Sequence, residues 1–133
     1  MARVVILEDE PAIAWILREA LGEAGHEVTV VGDARGALSQ LEQPPPPDLL
    51  LVDLHLPGLR GRDLIEALRG RPHLGATPIV LITGAVPGGD DFPTPGSYQA
   101  LLAKPFDLDE LLAVVDRWAE PRSGVAARSR RLC

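Results

Sequence analysis

Asp48-Leu49-Leu50-Leu51-Val52-Asp53 sets four apolar side chains in a row between two carboxylates. A run this short, without alternation, suits a strand covered on both faces, as in parallel sheets sandwiched between helices. Similar runs flank it. Arg3–Leu7 (RVVIL) and Val28–Val31 precede it; Pro78–Ile82 (PIVLI) and the weaker Ala100–Ala103 (ALLA) follow. Five strands are predicted.

The segments between them carry helical spacing. After Pro11, which suits a first helical turn, Ile13, Ile16, Leu17, Ala20, Leu21 and Ala24 fall on one face, and Gly25 supplies a stop. Asp33 can cap a helix carrying Ala34, Ala37, Leu38 and Leu41, which Pro44 to Pro47 end with a stiff loop. A helix around Arg62–Arg69 buries Leu64, Ile65 and Leu68. The last helix opens on Asp107 and Glu110 in capping-box spacing and buries Leu108, Leu111, Leu112, Val115 and Trp118. Strands alternating with helices imply parallel βαβ units with right-handed crossovers. One segment breaks the rule. Between Thr83 and Leu101 the alternation calls for a fourth helix, yet Pro87, Gly88, Gly89, Pro93, Pro95 and Gly96 intervene. Proline costs about 3 kcal/mol inside a helix and glycine about 1 kcal/mol, so a loop or a single turn is expected.

With 133 residues, 46% hydrophobic and 24% charged, the chain fits one folded domain with a substantial core. No apolar run approaches the roughly 20 residues needed to cross a bilayer, so membrane insertion is not expected. Met1-Ala2-Arg3 leads into a short apolar run stopped by acids, which is no signal-peptide core, and the single Cys133 excludes a disulfide scaffold. A cytoplasmic protein is expected. Thirteen basic residues face 19 acidic ones, for a net charge of −6. Arg122, Arg128, Arg130 and Arg131 all follow Glu120, so the first 120 residues are more acidic still. An acidic body argues against direct nucleic-acid binding, which needs a basic face to displace counterions. The expected organisation is a domain over 1–120 and a flexible basic tail over 121–133.

In open α/β sheets, ligands collect beyond the carboxyl ends of the strands. The first strand ends at Glu8-Asp9-Glu10, the third at Asp53, the fourth at Thr83-Gly84 and the fifth at Lys104-Pro105. Acids, a hydroxyl and a lysine therefore converge on one edge. Clustered carboxylates repel unless a cation compensates them, and oxygen ligands with water access suit Mg²⁺, which favours sites completed by phosphate oxygens. Phosphoryl transfer needs little more than an in-line nucleophile, a metal and fixed positive charge.

Val4–Pro11 (VVILEDEP), Leu50–Gly61 (LLVDLHLPGLRG), Pro78–Gly84 (PIVLITG) and Lys104-Pro105-Phe106 resemble, in order and spacing, the four signature blocks of the receiver domain of two-component response regulators, the CheY-like superfamily. The resemblance covers about residues 3–119. It implies a flavodoxin-like, doubly wound (βα)5 sandwich with a five-stranded parallel sheet in the order 2-1-3-4-5. It implies that Asp53 takes a phosphoryl group from the phosphohistidine of a sensor histidine kinase or a phosphotransfer protein. Asp9 then ligates Mg²⁺ directly and Glu8 mainly through water, with Asp53 and the backbone carbonyl of His55 completing the protein ligands. Thr83 matches the hydroxyl that moves towards the acyl phosphate, and Lys104 the lysine paired with its oxygens. The Lys104–Pro105 bond is expected to be cis. The domain would modify itself and would not turn over an outside substrate; its downstream protein target is unspecified, and a dimer is allowed.

Other features have plainer readings. Glu10 is first-turn charge favouring a helix N-terminus. His26, His55 and His73 are too scattered for a transition-metal site, and Trp15 and Trp118 read as packing or partly exposed helix residues. Residues 83–89 lack the Gly-Lys-Ser/Thr ending of a nucleotide-binding loop. A haloacid-dehalogenase-like phosphatase wants a second aspartate where His55 stands. Active receivers commonly report through the fourth helix, fifth strand and fifth helix, with an aromatic residue three before the lysine; here Leu101 holds that position and Tyr98 lies further upstream. An altered output face is therefore expected; the receiver either stands alone, the preferred reading, or is part of a longer regulator. The alternative is a docking module that keeps the fold and works without phosphorylation.

Overall fold

The computed structural model describes residues 2–84 and 89–119. The expected basic tail, like residues 85–88, lies outside the described residues. The elements run β1 (Arg3–Leu7), α1 (Pro11–Glu23), β2 (Glu27–Val31), α2 (Ala34–Gln40), β3 (Leu49–Asp53), α3 (Gly61–Arg69), a 3₁₀ turn (Pro72–Leu74), β4 (Ile79–Thr83), β5 (Ala100–Ala103) and α4 (Leu108–Trp118). The sheet has five strands in the order β2-β1-β3-β4-β5. Every pair is parallel, with Leu7 beside Val52, Asp53 beside Ile82 and Thr83 beside Ala103.

The unalternating strands are explained by two cores. Leu50 and Val52 of β3, with Val5, Leu7, Ile79 and Leu81, face α2 and α3. Leu49 and Leu51, with Val4, Ile6, Val80 and Ile82, face α1 and α4. Successive strand side chains point to opposite faces, so covering both faces requires apolar residues at every position. All five residues of β3 and of β4 are buried. Each Leu or Ile so buried stabilises by about 1.5–3 kcal/mol relative to exposure.

The helix boundaries follow the anticipated caps. Asp33 Oδ1 accepts from Gly36 N at the start of α2, and Asp107 and Glu110 form the full capping box of α4. Gly61 opens α3 against Leu54, where an added Cβ would stand 2.8 Å from Leu54 Cδ2. Three expected core contacts fail. Ile16 and Leu108 are each 44% exposed, and Ala24 is exposed beyond the end of α1, because the apolar stripes of α1 and α4 are wider than the sheet face they cover. The Lys104–Pro105 bond is cis as expected, and Pro44–Pro45 is cis as well.

Between β4 and β5 there is no helix among the described residues. Phe92, 7% exposed, enters the α2/α3-side core and meets Tyr98 edge to face, with ring centroids 5.9 Å apart. Turns at Phe92 N→Gly89 O and Ser97 N→Thr94 O satisfy backbone groups that a helix would otherwise pair, and Gly96 takes a positive φ of 93°.

Candidate functional site

The parallel sheet brings the ends of β1, β3, β4 and β5 to one edge, and the expected residues arrive there together. Glu8 follows β1 and is held by its amide to Val31 O at 3.0 Å. Its side chain is buried, whereas Asp9 beside it is exposed. Asp53 closes β3 and Thr83 closes β4, both buried; Lys104 follows β5, its amide donating to Thr83 O at 2.9 Å.

Asp53 is gripped on both oxygens. Oδ1 accepts from the amide of His55 at 2.9 Å, and Oδ2 lies 3.3 Å from Lys104 Nζ. The same ammonium stands 3.8 Å from Glu8 Oε1. Glu8 Oε2 accepts from Glu10 N at 3.2 Å, while Oε1 is buried and has no hydrogen-bond partner among the described residues. One lysine thus faces two buried carboxylates, with Asp9 as a third acid alongside. Burial first, then the nearness of Asp53, pushes the Glu8 carboxyl up to about 7, against which the Glu10 amide and Lys104 pull only partly.

The arrangement fits a hard divalent cation. Glu8, Asp9 and Asp53 each offer a carboxylate oxygen, and these oxygens lie within 4.8 Å of one another. An orphaned buried oxygen, an excess of carboxylates over cations and an exposed Asp9 open to water are what Mg²⁺ accommodates; softer metals would want nitrogen or sulfur. His55 was anticipated for its carbonyl. The structure adds that its amide orients Asp53, while its side chain is exposed. One of the two oxygens of Asp53 thus caps the turn that follows β3. Sequence spacing did not reveal that Glu8 is buried or that it shares Lys104 with Asp53. The signal available was only that Glu8 directly continues a fully apolar strand.

Two further features are not legible in the sequence, a cavity at this edge and an arginine anchored at the opposite end of the sheet. A cavity of about 440 Å³ lies between the β3–α3 loop and residues 89–92, lined among others by His55, Leu59, Arg60, Asp91 and Phe92. The guanidinium of Arg69, partly buried at the end of α3, donates to Leu74 O, Thr77 O, Ser97 O and Gln99 Oε1 at 2.8–2.9 Å. No helix is long and apolar enough to cross a membrane among the described residues.

The response regulator receiver domain family model matches residues 4–116. The chain is 35% identical over 123 residues to the sensory transduction protein RegX3 of Mycolicibacterium smegmatis, covering 85% of this chain and 48% of that protein. It is 36% identical over 115 residues to the transcriptional regulatory protein TcrA of Mycobacterium tuberculosis, covering 84% and 43%. The chain thus spans about half the length of the curated relatives it matches. Among solved structures, it is similar to the receiver domain of a Pseudomonas aeruginosa sensor histidine kinase with a magnesium ion in its active-site cleft. That likeness has a TM-score of 0.80 at 28% identity and covers 89% of this chain and 97% of that one. It is also similar to the response regulator TrrA of Thermotoga maritima in complex with Mg²⁺ and beryllofluoride, with a TM-score of 0.76 at 25% identity, covering 89% and 99%.

Proposed function

Because this chain belongs to the response regulator receiver family of two-component signalling, we propose that it is a phosphoacceptor switch in which Asp53 takes a phosphoryl group and the change alters a protein–protein contact. The observation that carries this reading is the grip on Asp53: one carboxylate oxygen fixed by a backbone amide, the other against an ammonium, in a buried acidic corner.

Attack by an Asp53 carboxylate oxygen on a phosphohistidine forms a P–O bond as the P–N bond breaks, and the imidazole leaves with the electron pair and takes up a proton. His55 N holds Oδ1 so that the carboxylate cannot rotate away. Lys104, already beside Oδ2, stays next to the charge that accumulates on the phosphoryl oxygens. Thr83, on the strand next to Asp53, supplies the hydroxyl that answers the new group. Asp9, Asp53 and the His55 carbonyl would hold Mg²⁺, with Glu8 acting through water, and the ion would supply charge neutralisation. The donor is a sensor histidine kinase or phosphotransfer protein; the receiver is the domain over residues 1–120 and does not turn over an external substrate.

Incubation with acetyl phosphate and Mg²⁺ should retard the wild type on a phosphate-affinity gel and leave Asp53→Asn unshifted. Equal mobility of both proteins would reject the reading. The absence of a helix among the described residues between β4 and β5 favours one competing reading, a docking module that ignores phosphorylation. In that case, Asp53→Asn would capture the same partner as the wild type after acetyl phosphate treatment.

A further inference from the structure

The connection from β4 to β5 is anchored to α3 at two places of unequal strength. Midway along it, Arg62 N donates to Asp91 O at 2.9 Å, and Arg60 Nη1 pairs with Asp91 Oδ1 at 3.1 Å with both side chains about two-thirds exposed. Such an ion pair is weak and easily exchanged with water. Near its end, Arg69 ties Ser97 O and Gln99 Oε1 to the Leu74 and Thr77 carbonyls, and Gln99 Oε1 also accepts from Ile79 N at 2.7 Å. Gln99 N in turn donates to Ile79 O. Charged donors shared among several partly buried acceptors make a stiff joint.

The weak anchor lies between the two loops that leave the proposed phosphorylation site. One runs from Asp53 to Arg60; the other contributes residues 89–91. Residues from 54–61 and 89–92 line the 440 Å³ cavity together, which leaves open space beside Arg60 and Asp91 while Leu54, Leu56 and Phe92 stay packed in the core.

We propose that the Asp91 anchor on the first turn of α3 is a latch that responds to the state of Asp53, while Arg69 is a pin that stops the response before residues 97–99. The device rests on the phosphoacceptor reading above. It places the reporting surface on α3 and residues 89–92, and it explains how a connection with no helix among its described residues transmits a bounded change.

Amide hydrogen exchange on the full chain, with Mg²⁺ and with or without beryllofluoride as the phosphoryl mimic, tests this. Native mass spectrometry reads mimic binding separately. In the wild type, mimic binding should change exchange in residues 61–66 and 89–92 and leave 97–99 unchanged. Arg69→Met should let the change spread to 97–99, by about tenfold in rate. Asp91→Ala, at an exposed site that leaves the core intact, should raise exchange of 89–92 without the mimic by up to about fivefold and shrink the mimic's effect there. Bound mimic with unaltered exchange at 89–92, or with wild-type change extending equally to 97–99, would overturn the latch and pin. Absence of mimic binding to the wild type would instead overturn the phosphoacceptor reading, and the latch with it.

Discussion

Replacing Glu8 with Gln should stabilise the metal-free protein at alkaline pH and weaken its response to Mg²⁺. Glu8 is 2% exposed, and its carboxyl is pushed from 4.5 up to about 7. A group whose pKa rises on folding binds its proton more tightly in the folded state. Its contribution is therefore fully present below 4.5 and lost as pH rises through about 7. A difference of this size corresponds to about 3 kcal/mol at most. His26, whose pKa burial lowers, acts with the opposite sign: its contribution falls away towards acid pH. Comparing wild type with Glu8→Gln cancels that effect. In urea unfolding without Mg²⁺, the wild type should lose up to about 3 kcal/mol relative to the variant between pH 5 and 8. Millimolar Mg²⁺ should restore the wild type more at pH 8 than at pH 6, because at the lower pH the ion must displace a proton, and it should help the variant less. Parallel stability curves for the two proteins across this window would refute the claim that Glu8 is a strained, cation-seeking carboxylate.

Lys104→Met removes the only cation described within 4 Å of Asp53 and Glu8. Mg²⁺ affinity measured by calorimetry should rise, by about tenfold for a unit charge and a divalent ion roughly 5–6 Å apart in a water-like medium, while the yield of Asp53 phosphorylation falls. Asp107→Ala breaks the capping box of α4 and should cost about 1 kcal/mol in urea unfolding with no change in Mg²⁺ affinity.

Much of the fold was legible because its signals are local. Leu49–Val52 reads as a two-sided strand on its own, Asp33 and Asp107 announce their helices, and prolines and glycines after Thr83 argue against a helix before any packing is considered. The site residues were legible because parallel strands deliver their carboxyl ends to one edge, which makes Glu8, Asp53, Thr83 and Lys104 neighbours by topology alone. What could not be read depends on three dimensions. Ile16 and Leu108 match helical periodicity but lie past the edge of the surface their helices cover. Glu8 and Asp9 are adjacent in sequence and opposite in burial, because successive residues leaving a strand turn to opposite sides. Arg69 reads as an ordinary last-turn arginine; its role comes from carbonyls contributed by a turn and a loop as many as 30 residues away.

The central claim is that a metal-balanced acidic corner makes Asp53 able to carry a phosphoryl group. Intact-protein mass spectrometry after incubation with acetyl phosphate addresses it directly. A gain of about 80 Da, one phosphoryl group, is expected in Mg²⁺ and should disappear in EDTA and in Asp53→Asn. An unchanged mass in Mg²⁺, or the same gain in Asp53→Asn, would contradict it.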